Sequence, residues 1–287
     1  MTIDLHTHSL ASDGTDSPTE LVLNAKAAGL TVLAITDHDT TGGWAEAAAA
    51  LPVGMTLVPG TEFSCVYTRP DGFDISLHLL GYLYDPDNEG LRQERIRLRE
   101  SRLGRGEQIV RNLEADGYPV TWERVTELAG GGAVGRPHIA RVLVENGVVG
   151  SVNEAFDELL SARGKYYAKK VDTDVFTAIE LVRAAGGLTV FAHPFAHRRG
   201  PVVGVDVIEA MTTAGLDGIE IDHPDHAPED RAALRGLATD LDLVGTGASD
   251  YHGTNKTTRL GACTTDPAEY ERLVSRSSAR APIRLSA

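Results

Sequence analysis

Cysteine occurs only twice, at Cys65 and Cys263, which excludes a disulfide framework and a zinc site built on thiolates. Basic residues are also scarce: 27 Lys and Arg against 41 Asp and Glu leave a formal charge of −14. A surface that acidic repels a polyanion at long range and excludes a passive nucleic-acid coat protein. It stays compatible with a small phosphorylated substrate held by metal ions or a local arginine cluster. No apolar run approaches the ~18 residues of a membrane span. The chain also starts without a basic stretch followed by an apolar core, so a cytoplasmic protein with no membrane contact is expected. Nothing points to an obligate protein partner. Conventional signatures are missing too: there is no G-x-S-x-G elbow, no P-loop and no Rossmann glycine fingerprint following a strand. What is present is an ordinary globular composition, 42% hydrophobic over 287 residues, enough for one large domain or one domain with an insertion.

Short β-branched runs alternate with amphipathic stretches at both ends of the chain. Strands are expected at 2–6, 31–36, 55–61, 75–81, 188–192, 218–221 and 243–247, with helices at 18–28, 44–51, 177–185, 205–214 and 228–239. Ser17-Pro18-Thr19-Glu20 is a capping box with proline in the first helical turn, and Gly29 stops that helix. Repeated strand-then-helix units imply a mainly parallel sheet or barrel covered by helices, an α/β class. Residues 88–167 differ, with apolar positions Ile96, Leu103, Val110 and Leu113 at helical spacing. They read as an all-helical insertion between a barrel formed by 1–87 and 168–287.

Ten histidines carry the chemical argument. His6 and His8 end the first strand and, two residues apart, project from one face as a shared metal requires. His38 follows the second strand run, Glu62 ends the third, His78 lies in a short strand, His193 ends another, and Asp250 and His252 follow the last. In a parallel barrel the C-terminal strand ends share one rim, so six strand ends are expected to deliver His, Asp or Glu to one place. Neutral imidazoles with carboxylates suit zinc, manganese or iron, and a shared carboxylate can bridge two ions.

IDLHTHSLASDGTDSP (3–18), LAITDHDT (33–40), VPGTEFS (58–64), HLLGY (78–82), AHP (192–194) and GASDYHG (247–253) together resemble the PHP (polymerase and histidinol phosphatase) family of metal-dependent phosphoesterases. GRPHIAR (135–141) resembles the subgroup that acts on nucleoside 3',5'-bisphosphates or on the 5' end of short RNA. The resemblance implies a distorted (β/α)7 barrel with a helical insert as substrate cap. It also implies two or three divalent ions (Mn, Fe or Zn). His6, His8, Glu62 and Asp250 would hold the first; Glu62, His78 and His193 the second; Asp13, His38 and His252 the third. Hydroxide shared between two ions would attack phosphorus in line, releasing, for example, the 3'-phosphate of a bisphosphate nucleotide.

Other assignments rest on fewer residues. Arg136 offers paired donors for a phosphate and for charge developing on the phosphoryl oxygens, the alternative being a surface arginine at a helix start. His138, Lys165 and Lys169 are candidate substrate contacts beside purely packing or solvated roles. His226 or His223 would protonate or orient the leaving oxygen, with His226 favoured by the resemblance as the substrate contact. Asp4 and Asp37 would hydrogen-bond ligand imidazoles, a strand-end cap being an equal role for Asp37. Residues 92–111 hold seven Arg against three Glu, a local +4. Arg92, Arg95, Arg99 and Arg102 would share one face, either solvated or guiding a second phosphate. The expected partner is a small phosphorylated nucleotide of AMP or bisphosphate type, or a short oligonucleotide. The rival activities are a 5'-3' exonuclease on short RNA and a histidinol-phosphate phosphatase. A non-catalytic metal-dependent nucleotide-binding module stands in another class. A C–N hydrolase would want a metal-bridging lysine at a strand end, and none is present.

Overall fold

The computed structural model describes residues 1–161 and 164–285. Seven strands follow one another around the main sheet: β1 (Ile3–Asp4), β2 (Val32–Ile35), β3 (Thr56–Thr68), β4 (Asp74–Tyr82), β6 (Leu188–Phe191), β7 (Gly218–Asp222) and β8 (Val244–Gly247). Two short strands, β5 (Thr173–Asp174) and β9 (Ile283–Arg284), pair with β3 off this path. The sheet nearly closes where Thr7 bridges Tyr251 and the His8 amide donates to the Tyr251 carbonyl at 2.9 Å. In β2, Val32 and Ala34 join the inner core with Ile3, Leu5, Val58, Leu80 and Val190, while Leu33 and Ile35 join the outer core beneath the helices. Burial on both faces explains why this strand reads as an unbroken apolar run.

The barrel departs from a simple strand-helix repeat at β4. β1–β2–β3 and β6–β7–β8 pair in parallel, but β4 is antiparallel to both β3 and β6. β3 and β4 form a long hairpin whose register sets Ser64 opposite His78 and Glu62 opposite Leu80. Glu62 therefore lies within a strand that continues to Thr68 and does not end it as expected, while His78 lies inside its strand.

The covering helices start as their sequences dictate. In α1 (Pro18–Ala27), Ser17 and Glu20 cap each other's backbone amides, and Leu21, Val22 and Ala25 are buried. Around the barrel follow α2 (Trp44–Ala49), α7 (Val175–Ala184), α8 (Val205–Ala214), α9 (Pro228–Asp240) and α10 (Pro267–Val274).

Between β4 and β5 come α3 (Glu89–Ala115), α4 (Trp122–Ala129), α5 (Arg136–Glu145) and α6 (Val152–Glu158). From Ile109 onward these helices share a second core, while Leu91 and Leu98 of α3 pack into the barrel's own. The buried stripe of α3 is Leu91, Arg95, Leu98, Arg102, Gly106, Ile109, Val110 and Leu113. Ile96 and Leu103, expected on that face, are 41% and 39% exposed. Two arginines complete the three-four spacing and conceal it from an apolar pattern. Among the described residues, no helix is long and apolar enough to cross a membrane.

Candidate metal centre

Loops after β1, β2, β6 and β8 and the β3–β4 hairpin bring nine side chains together, with Glu62 at their centre. Its Oε2 lies 3.1 Å from Nε2 of His6, 3.1 Å from Nε2 of His8 and 3.2 Å from Nδ1 of His38. Its Oε1 lies 2.7 Å from Nδ1 of His78 and 3.0 Å from Nε2 of His193. Asp250 Oδ1 approaches His6, His8 and His252 at 3.5, 3.4 and 3.4 Å. The Asp13 carboxylate approaches His8, His38 and His252 at 3.6, 3.7 and 3.4 Å.

Three sets have ligand atoms within 4.8 Å of one another: His6, His8, Glu62 and Asp250; His8, Asp13, His38 and His252; and His38, Glu62 and His78. The first matches the expected grouping. The other two differ from it: His8 joins the Asp13 set, and His38 rather than His193 completes the Glu62–His78 set. His193 meets the cluster through Glu62 Oε1. The reversed β4 accounts for part of this, since it seats the His78 ring 5.0 Å from that of His38.

The donor chemistry fits cations. Nδ1 of His38 and Nδ1 of His78 are buried without a hydrogen-bond partner, although Glu62 oxygens lie within 3.2 Å. Nε2 of His6 and Nε2 of His8 face each other at 3.1 Å. Several imidazole nitrogens and carboxylate oxygens thus converge on one another, the arrangement a shared cation satisfies. Burial opposes charge on all these groups. Around Glu62, Asp13 and Asp250, neighbouring imidazoles and cations outweigh it and hold the carboxyls well below their usual range. His8 is pushed up to about 9 because Asp250 and Glu62 overcome its burial, and His6 rises as well. Burial, aided by neighbouring cations, takes His193 down to about 3 and His252 to about 4.

Buried carboxylates hold the loops in place. Asp37 accepts from the Ser9 amide at 2.8 Å, the Ser9 hydroxyl at 2.7 Å and the Ser12 hydroxyl at 2.6 Å, folding the loop that returns Asp13 to His8. A Cβ at Gly14 would sit 2.4 Å from the His8 carbonyl oxygen, so this turn closes only on glycine. Asp4 accepts from the amides of His6, Ser249 and Gly261, joining the two barrel edges. It does not bond an imidazole, because its side chain points to the seam between β1 and β8.

The comparisons agree with this geometry. Residues 4–188 match the PHP domain model. The chain belongs to the PHP family. It is 38% identical to a 5'-3' exoribonuclease of Haemophilus influenzae, over 87% of this chain and 89% of that protein. It is 33% identical to a 3',5'-nucleoside bisphosphate phosphatase of Chromobacterium violaceum, over 87% of each. A crystal structure described as that of a candidate metal-dependent phosphoesterase from Bifidobacterium adolescentis superposes with a TM-score of 0.90, at 36% identity and 96% coverage of both chains. This PHP protein is a metal-dependent phosphoesterase, a phosphoric ester hydrolase.

At the rim of the PHP barrel the structure separates the two histidines considered for the leaving group. His226 is used by the backbone: Nδ1 donates to the Ile221 carbonyl at 2.8 Å and Nε2 accepts the Phe195 amide at 3.3 Å. His223 accepts the Asp225 amide at Nδ1, 3.0 Å, which in the neutral ring leaves the proton on Nε2. That nitrogen is buried, lacks a hydrogen-bond partner and lies 3.4 Å from Asp250 Oδ2. Two cations missed in the sequence share this oxygen, Arg199 and Lys256, each at 2.6 Å. Both lie in loops following strands that carry ligands, and only that position signals them.

The insertion reaches the same rim. The Ala133 amide donates to the Ala11 carbonyl at 2.9 Å, docking the turn before α5 onto the Asp13 loop. Arg136 opens α5 with its guanidinium over the Phe156 ring, 5.1 Å away, and donates to the Leu160 carbonyl at 2.9 Å. His138 caps that helix by accepting the Gly135 amide at Nδ1, 3.1 Å. Lys165 pairs with Asp116 at the end of α3 and Lys169 with Asp74 on the hairpin, so both exposed lysines engage residues outside the cluster. The expected arginine face divides. Arg92 pairs with Glu89, Arg95 donates to Pro86 and Tyr84, and Arg102 grips Asp39 at 2.6 Å and Ser64 at 2.7 Å. Arg105, one turn on from Arg102, was not singled out by its sequence. Its Nε is buried without a partner, and burial with nearby Arg136 and Arg102 lowers its guanidinium to about 9.

Proposed function

We propose that this phosphoesterase removes a phosphate from a small nucleotide carrying a second phosphate, of the nucleoside 3',5'-bisphosphate type. The observation that carries this is the cationic wall of the insertion. Arg105 and Arg136 are half-buried and, among the described residues, make no ion pair, while Lys170, within electrostatic reach of Arg102 and Arg105, pairs with Asp172. In a chain of net charge −14, two guanidiniums without an acidic partner on the insertion that docks at the Asp13 loop suit an anionic group on the substrate. The bisphosphate phosphatase name of the Chromobacterium violaceum relative supports the same choice.

The three sets around Glu62 would hold two or three divalent ions, with manganese, iron and zinc all suited to mixed imidazole and carboxylate donors. Bound there, the ions supply an acidified water and offset phosphoryl charge. The protein's part begins with Arg105, Arg136 and Lys170, which anchor the distal phosphate and so direct the reacting one to the rim. Arg199 and Lys256 turn from Asp250 toward the phosphoryl oxygens as their charge grows. His223, its Nδ1 held by the Asp225 amide, points its Nε2–H at the leaving oxygen and orients it by a hydrogen bond as the P–O bond breaks, the proton itself coming from water.

The test is phosphate release from adenosine 3',5'-bisphosphate, 3'-AMP, 5'-AMP and histidinol phosphate, and release of 5'-mononucleotides from a short 5'-phosphorylated RNA, with protein loaded in turn with Mn, Fe or Zn. The bisphosphate should exceed both monophosphates in kcat/KM. Preference for histidinol phosphate would overturn the assignment. One feature favours the exonuclease instead: an open groove of about 330 Å³ beside the Asp13 loop, lined by Leu10, Thr40, Arg99 and Gly131 among others. Faster turnover of the RNA than of the bisphosphate would select it.

A further inference from the structure

Glu220 contributes no atom to the three ligand sets, yet it is fully buried in β7 and touches two of the nine side chains' residues. Period-two alternation explains its position: Ile219 and Ile221 face the helices, so Glu220 faces the barrel interior. Its Oε1 lies 3.2 Å from Nδ1 of His6. Its Oε2 accepts the backbone amide of His193 at 2.7 Å. His193 sits at φ 31°, a left-handed conformation that a non-glycine residue keeps only when something holds it. The other nitrogen of His6, Nε2, points to Glu62, His8 and Asp250.

We propose that Glu220 is a positioning residue that presents His6 and His193 to the ions together, keeping the His6 proton on Nδ1 and the Nε2 lone pair free for metal. This rests on the cluster being an ion site. The donor count makes a carboxylate necessary. Two N–H groups approach from two sides, and each needs an acceptor. Glutamine has the same shape but one acceptor. If its oxygen meets the His193 amide, its NH2 faces His6 Nδ1, and the imidazole proton moves to Nε2, where a lone pair is required. If its oxygen meets His6, its NH2 opposes the His193 N–H and releases the strained backbone. Either way one presented ligand is lost with little change in volume.

The experiment compares wild type and Glu220→Gln for Mn and Zn affinity by competition with a chromophoric chelator, with metal content by mass spectrometry and folding by circular dichroism. Glu220→Gln should fold and bind ions roughly 10–100-fold more weakly. Excess metal should restore kcat with KM for substrate unchanged. Affinity within about threefold of wild type would overturn the proposal while leaving the ion site standing. A wild type that binds no divalent ion would overturn the ion site and this proposal with it. Should the variant fail to fold, 15N-histidine spectra of Zn-loaded wild type decide: a His6 proton on Nδ1 supports the proposal, and one on Nε2 refutes it.

Discussion

Arg105→Met should move stability and substrate use in opposite directions. Methionine keeps an unbranched apolar stem and removes a guanidinium whose Nε is buried and unpartnered beside Arg102 and Arg136. An uncompensated buried charge costs the free protein stability, so its replacement should raise stability by about 1 kcal/mol, or ~2–4 °C in Tm for a domain of this size. In the complex the same guanidinium meets a phosphate in a largely dry pocket. Truncating one partner of such a pair costs about 2–4 kcal/mol, roughly 30- to 1,000-fold in kcat/KM. That loss should fall on the bisphosphate nucleotide and spare a simple aryl phosphate, which has nothing to place there. Steady-state kinetics on both substrates, with a thermal melt of the same preparation, measure all three quantities. A lower Tm with unchanged kcat/KM would show a structural arginine and refute the reasoning. Equal losses on both substrates would place Arg105 on the reacting phosphoryl group instead.

Glu62→Gln should deplete ions from two of the three ligand sets, whereas His252→Ala touches only one; metal content per chain separates them, and equal depletion would refute the shared position of Glu62. At pH 7 the metal-free site holds protons on His8, raised to about 9, and on His6. Metal must displace them, so affinity should climb with pH up to about 9. Calorimetry in buffers of different ionisation heat reads the released protons; binding heat independent of the buffer would refute this. Burial and the neighbouring Arg102 push Lys170 down to about 8, so it is charged below that pH and neutral above. KM for the bisphosphate should therefore rise as pH passes about 8, and Lys170→Met should flatten that limb.

Much of the barrel is legible because its strands are buried on both faces and its helices carry local start signals. The 31–36 run, the Ser17–Glu20 capping box and the 205–214 helix needed no tertiary information, and each forms close to its expected bounds. The direction of β4 was not legible. A short, largely apolar run with turns at both ends is the same sequence whether it pairs parallel or antiparallel, and only the β3 register decides. The stripe of α3 was misjudged for a different reason: Arg95 and Arg102 are core-facing because Tyr84, Pro86, Asp39 and Ser64 wait for their donors. A polar residue at a buried helical position is invisible until its partner, 9 to 63 positions away in the chain here, is known.

The same limit separates the two kinds of residue in the site. A ligand histidine can be nominated from its place in a strand, because strand ends share a rim whatever their neighbours are. A supporting residue is defined by a donor-acceptor match, and the match exists only in three dimensions. Asp4 and Glu220 are both buried acidic residues on inner strands, and alternation makes them equivalent candidates to orient His6. They divide because the seam between β1 and β8 presents Asp4 with the amides of Ser249 and Gly261, while β7 presents Glu220 with an imidazole nitrogen and the His193 amide. His223 and His226 divide in the same manner. They are three residues apart in one loop, but His226 spends both nitrogens on backbone groups and His223 keeps Nε2 for the site. The chemically useful residue in each pair is thus the one whose hydrogen-bond inventory leaves the required atom pointing at the cluster.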